Sequence, residues 1–112
     1  MDPGAQRNLK LTIEYDGTDF AGWQRQDGQR TVQEVLEAGF RSMTGEEVLV
    51  RGAGRTDAGV HALAQVANVF VTTKIPPWNY LRGLNANLPP DVAVTDVAAV
   101  PASFDARFSA RG

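Results

Sequence analysis

Two helical apolar stripes, each set between runs that read as strands, constrain this 112-residue chain more than any other feature. The first stripe is anchored by Thr31-Val32-Gln33-Glu34. This is a capping box: the Thr31 hydroxyl can accept the Glu34 amide hydrogen while the Glu34 side chain reaches back. Val32, Val35, Leu36, Phe40 and Met43 follow at helical spacing, and Gly45 stands at a suitable C-terminal stop. The second stripe opens at Pro76-Pro77, because proline is tolerated in a first helical turn. It continues through Trp78, Leu81, Leu84 and Leu88 and is stopped by Pro89-Pro90.

The flanking runs read as strands. Leu9, Leu11, Ile13 and Tyr15 alternate with Lys10, Thr12 and Glu14, the pattern of a half-buried strand. Asp16-Gly17-Thr18-Asp19 is a turn signal that ends it. Phe20 to Arg30 has no clear period and reads as an ordered loop. Glu47 to Arg51 forms a short strand, and Ala64 to Thr73, rich in Val, one buried on more than one side. Val92 to Val100 is the last strand, and the tail from Pro101 is irregular. The order is strand, helix, strand, strand, helix, strand. That is the split βαβ, ferredoxin-like pattern: an α+β domain with an antiparallel sheet and two helices on one face. Residues 1–8 form a polar lead-in, 9–100 the domain and 101–112 a trailing segment.

Composition removes several function classes. No apolar run is long enough to span a membrane. The segment Met1 to Asn8 has no apolar region of the secretory-signal kind. The absence of Cys excludes disulfides and thiolate metal sites and is compatible with a cytoplasmic location. A net charge of −2 and a pI near 5.3 argue against an electrostatic grip on nucleic acid by the whole domain. Yet nine of the eleven basic residues are Arg, the side chain suited to bidentate phosphate contacts and to stacking on bases. Arg25, Arg51 and Arg55 flank Gly-rich segments where a backbone could approach a ligand.

The connection between the second and third strands holds the chemistry. Neighbouring strands need only a few residues between them; this chain spends about ten, with Gly52, Gly54 and Gly59 among them. The loop carries Arg55, Thr56, Asp57 and the only His, His61. An Asp in such a loop is commonly a turn residue bonded to nearby amides. Beside an Arg, its ionised form is favoured and can act as nucleophile or general base. One His without Cys makes a transition-metal site improbable on ligand count. Gly52-Ala53-Gly54 lacks the third glycine and following helix of a dinucleotide fingerprint, and no Gly-Lys-Ser/Thr makes a P-loop.

Gly52-Ala53-Gly54-Arg55-Thr56-Asp57-Ala58-Gly59-Val60-His61-Ala62 resembles the signature of the bacterial tRNA pseudouridine synthase A family. Further segments are similar to that family's motifs and occur in its order. They are Tyr15-Asp16-Gly17-Thr18, Gly22-Trp23-Gln24-Arg25-Gln26, Thr31-Val32-Gln33-Glu34, Leu84-Asn85-Ala86-Asn87-Leu88-Pro89 with Asp91, and Phe104-Asp105-Ala106-Arg107-Phe108-Ser109-Ala110. Position 105 departs from the pattern, which more commonly has His.

The resemblance implies an enzyme that isomerises uridine to pseudouridine on the 3′ side of the tRNA anticodon arm, without cofactor or metal. It makes Asp57 the catalytic aspartate. Arg55 becomes its partner and fills the space left by the extruded base, which must leave its stack to be reached. Asp16, Gln24, Arg25 and His61 match motif positions and are candidate RNA contacts alongside Arg55. The resemblance further implies a homodimer and a second domain that opens on an Arg-x-Tyr-x-Tyr strand. The chain ending at Gly112 is accordingly expected to be an N-terminal domain with little activity alone.

Two other classes fit the same element order. An RNA-recognition motif would carry stacking aromatics and a Lys/Arg-Gly-Phe/Tyr motif, whereas Gln65 to Val71 has one aromatic, Phe70, and no such motif. A small interaction domain could use the Gly-rich loop to hold a partner.

Overall fold

The computed structural model describes residues 6–54 and 57–109. The elements are β1 (Arg7–Tyr15), a 3₁₀ turn (Gly17–Asp19), α1 (Val32–Thr44), β2 (Val50–Gly52), β3 (Ala62–Val71), α2 (Pro77–Asn87), β4 (Val92–Val100) and α3 (Ala106–Ser109). The sheet order is β2-β3-β1-β4, and every neighbouring pair is antiparallel. This is the ferredoxin-like α+β arrangement expected from the order of periods.

Local chemistry sets both ends of α1. The Thr31 hydroxyl accepts the Glu34 amide hydrogen at 3.4 Å, and Gly45 ends the helix in the left-handed region at φ 77°. Val32, Leu36 and Phe40 lie on its inner face and are fully buried. The α2 helix starts behind Pro76 without a side-chain cap and buries Tyr80 and Leu84. Both helices pack over Leu9, Leu11, Ile13 and Tyr15 of β1 and over Ala67, Val69 and Val71, which pair beside them in β3. Each large aliphatic side chain buried this way contributes on the order of 1.5–3 kcal/mol.

The opposite face belongs to the alternate residues. Asn8 and Asn68 point there and are buried although polar. Asn68 Nδ2 donates to Asn8 Oδ1 at 3.1 Å, and Asn8 Nδ2 donates to the carbonyls of Pro101 and Phe104 at 3.0 and 2.8 Å. The Ala106 amide donates to Asn68 Oδ1 at 2.9 Å. The tail is therefore docked and ends in a helical turn, α3, where the residue pattern predicts irregular chain. Four residues cannot display a helical period, so the sequence has no means of announcing that turn.

Three strands shift from their predicted bounds, β1 beginning at Arg7, two residues before Leu9. β2 begins at Val50, three residues later than the apolar run suggests. Glu46 is engaged elsewhere, its carboxylate accepting the Thr72 amide and hydroxyl at 2.7 and 2.8 Å, and Glu47 pairs with Arg41 at 2.5 Å. The same Glu46 contact ends the β3 ladder at Val71. β3 is covered on both faces only around Ala67, Asn68 and Val69; toward its start Leu63 is 85% exposed.

Candidate active site

The segment between β2 and β3 folds back against the turn after β1, and Asp57 lies exposed within it. The Asp57 carbonyl accepts the Val60 amide hydrogen at 3.2 Å, closing a tight turn. The Gly59 amide donates to the Phe20 carbonyl at 3.2 Å, with Gly59 at φ 80°. His61 Nδ1 accepts the Gly17 amide hydrogen at 2.9 Å, across 44 residues of chain. Gly17 is pressed against the loop itself: a Cβ there would lie 1.9 Å from the Val60 carbonyl oxygen. Only glycine permits that approach.

The other end of the segment is held as firmly. The Ala53 amide donates to the Val66 carbonyl at 2.7 Å, and Gln65 Nε2 donates to the Gly54 carbonyl at 2.6 Å. The buried Trp23 indole lies against Gly52, where a Cβ would fall 2.6 Å from the ring. Trp23 in turn packs on Tyr15 with ring centroids 6.2 Å apart. Gln33, on the first turn of α1, accepts the Arg25 amide hydrogen through Oε1 at 2.8 Å and donates to the Val50 carbonyl through Nε2 at 3.0 Å. The ordered loop 20–30, α1 and β2 thus share one amide side chain.

Charged groups around the loop are mostly engaged. Asp16 Oδ1 accepts the Thr18 hydroxyl at 2.6 Å and the Thr18 amide at 3.0 Å, which hold its carboxyl below the ordinary value. The same oxygen is 3.1 Å from His61 Nδ1. Because Nδ1 already accepts from Gly17, that approach becomes an ion pair only if the ring is protonated and the Gly17 bond given up. Arg30 grips Asp91 with two bonds of 2.8 and 3.0 Å and lies 4.1 Å over the Phe20 ring. The Asp91 carboxyl is lowered by this bidentate contact and the Arg30 guanidinium raised. Arg25 pairs with the buried Glu37 of α1, whose Oε2 accepts the Val50 amide hydrogen at 2.9 Å. Arg51 and Arg107 both approach Asp105, at 3.7 and 3.5 Å.

Two clefts border the loop. One, of about 550 Å³, is lined by Trp23, Gln24, Arg51, the Gly52–Gly54 backbone and Arg107. The other, of about 380 Å³, is lined by Tyr15, Asp16, His61, Leu63 and Asp91. Of the residues singled out from sequence, Asp16 and His61 meet at one end of the sheet, Asp57 stands exposed four residues before His61 on the same loop, and Gln24 lines the larger cleft. Arg25 is turned onto Glu37, with its side chain still about half exposed. Arg55 and Thr56 lie outside the described residues. Gln65 escaped sequence reading, although it is a polar residue paired with the core residue Ile13, an irregularity the strand pattern does display. Among the described residues no group of three or more His, Cys, Asp or Glu could hold a metal ion, and no helix is long and apolar enough to cross a membrane.

A family model described as tRNA pseudouridine synthase matches residues 11–109. The chain is 50% identical over 105 residues to tRNA pseudouridine synthase A of Caldicellulosiruptor saccharolyticus, covering 94% of this chain and 43% of that protein. It is 55% identical over 102 residues to tRNA pseudouridine synthase A of Bradyrhizobium diazoefficiens, covering 90% and 42%. The protein of the same name from Thermosynechococcus vestitus is 54% identical over 104 residues, covering 93% and 37%. The chain therefore spans about two fifths of the length of these curated relatives.

Proposed function

The chain belongs to the tRNA pseudouridine synthase family, and on that premise we propose that it forms the catalytic-aspartate domain of an enzyme isomerising uridine to pseudouridine in the tRNA anticodon arm. The observation that carries this is the construction of the loop. Gly17, Trp23, Gln33, Gly52 and His61, drawn from four sequence motifs, all serve to hold the segment that presents Asp57 to solvent. A carboxylate held at an open site, on a backbone tied down at both ends, suits attack on a substrate too large to be enclosed.

In this reading the C1′–N1 bond of uridine breaks, the uracil turns, and C1′ joins C5; the C5 proton leaves to solvent and N1 takes one up. Asp57 either attacks C1′ or assists uracil departure through a glycal. Arg55 partners Asp57 and replaces the flipped base in its stack. Gln24, Arg55, Asp16 and His61 border the RNA, while Arg25 supports the loop from behind through Glu37. Residues 9–100 act as one wall of the cleft and 101–112 lead toward a second domain, a division supported by the greater length of the relatives. The enzyme works in the cytoplasm as a homodimer, and its affinity for tRNA comes chiefly from phosphate contacts and weakens with salt.

Tritium release from tRNA labelled at uracil C5 tests the assignment. The 112-residue chain alone is expected to give background release. Joined to a second domain, Asp57→Asn should lose turnover by about 1,000-fold or more while tRNA binding is retained, the mark of a group needed only for chemistry. Full turnover by the Asn variant would remove Asp57 from the mechanism.

A further inference from the structure

His61 contacts both the Asp57 loop's support and a carboxylate through one nitrogen, and that nitrogen cannot serve both. Its Nδ1 accepts from the Gly17 amide at 2.9 Å and lies 3.1 Å from Asp16 Oδ1. Accepting from Gly17 requires a lone pair on Nδ1, hence the neutral ring with its hydrogen on Nε2. A hydrogen on Nδ1 would instead point to Asp16, leaving the buried Gly17 amide without this acceptor. The imidazole is 61% exposed, so solvent protons reach it.

We propose that His61 is a positioning residue for Asp57: the neutral imidazole pins the Gly17 turn to the 57–61 loop through Nδ1, and protonation transfers that nitrogen to Asp16 and releases the pin. The inference rests on Asp57 being the catalytic carboxylate for its functional meaning, though not for its geometry. The surroundings make the two arrangements alternatives. Gly17 is seated on the Val60 carbonyl, and Gly59 hangs from Phe20, so the turn and the loop move as partners. The charged groups lining the same cleft are Glu14 of β1, Asp16 of the turn and Asp91 before β4. Arg30 neutralises Asp91 through its two-bond grip, and Asp57 stands on the loop itself. Asp16 is thus the carboxylate in direct reach of Nδ1, and its oxygen is already fixed by Thr18. The pin is present with the ring neutral and lost when the ring takes up a proton.

Nuclear magnetic resonance on the full 112-residue chain tests this directly. At the alkaline end His61 should show the Nε2–H tautomer and the Gly17 amide should be protected from exchange. On acidification the Gly17 and Asp57 amide signals should titrate together with the imidazole. His61→Phe keeps a ring but offers no acceptor, and should expose the Gly17 amide to exchange roughly 5- to 10-fold faster than in the native chain at alkaline pH, the loss of one hydrogen bond, with the difference closing on acidification as the native pin is released. His61→Asn places an uncharged acceptor near the Nδ1 position and should restore protection while abolishing the titration. Asp57→Asn should leave the Gly17 and His61 signals unchanged, so the tie is judged separately from the catalytic assignment. A Gly17 amide environment indifferent to pH, a Nδ1–H tautomer at alkaline pH, or equal protection of the native chain and the Phe variant at alkaline pH would each overturn the proposal.

Discussion

Gly17 has no room for a side chain. The Val60 carbonyl would meet a Cβ at 1.9 Å, and the obstacle is backbone, which cannot rotate aside. Gly17→Ala must therefore push the 57–61 loop off the turn, breaking the Gly17–His61 bond. The expected cost is about 1–3 kcal/mol, the scale of overpacking a tight site. Thermal unfolding measures that loss, and altered Asp57 and Val60 amide signals report the displacement. An unchanged melting temperature with unchanged signals would show that the turn has slack the contact denies. At this scale the sequence displayed Asp57 and His61 in one motif and Gly17 in another, and it offered His61 only as a candidate RNA contact. Its partner stands 44 positions away, and nothing in the local pattern couples the two.

Among the elements, β3 puts its two faces to different work. Its core face carries Ala67, Val69 and Val71 into the helix layer, while Asn68 on the other face holds the tail through the Ala106 amide. Asn68→Ala strands that amide and Asn8 Oδ1 in a buried site. The expected loss is about 2–4 kcal/mol, since unpaired buried polar groups bear their full desolvation cost. Hydrogen exchange should rise over residues 101–107 and little in α1. A uniform rise over the chain would mean that Asn68 supports the whole sheet instead. The Thr31 cap, the Gly45 stop and the β4 bounds were legible because each is written in near-neighbouring residues. The late start of β2 was not, because Glu46 is diverted by Thr72, a contact between distant segments.

Across the whole molecule, the resolved carboxyl shifts point one way. The Thr18 hydroxyl lowers Asp16, Arg41 lowers Glu47, Arg30 lowers Asp91, and the Arg107 amide lowers Asp105. Groups held lower in the folded state bind fewer protons there than in the unfolded chain. Their stabilisation is complete above the ordinary values of 3.8 for Asp and 4.5 for Glu. It is lost as pH falls through the lower folded values. The urea midpoint should accordingly be lower near pH 3 than near pH 6, and Arg30→Gln should flatten part of that dependence. Equal midpoints for the native chain at the two pH values would contradict the shared direction. The sequence by itself determined the order of elements, the caps of α1 and the motif that assigns the family, because periodicity and motif are relations between near neighbours. Only the tertiary structure decided which carbonyl faces Gly17, where Arg25 turns and what His61 holds. Those relations depend on strand register and on the packing of the 20–30 loop, which bring together residues that the chain keeps far apart.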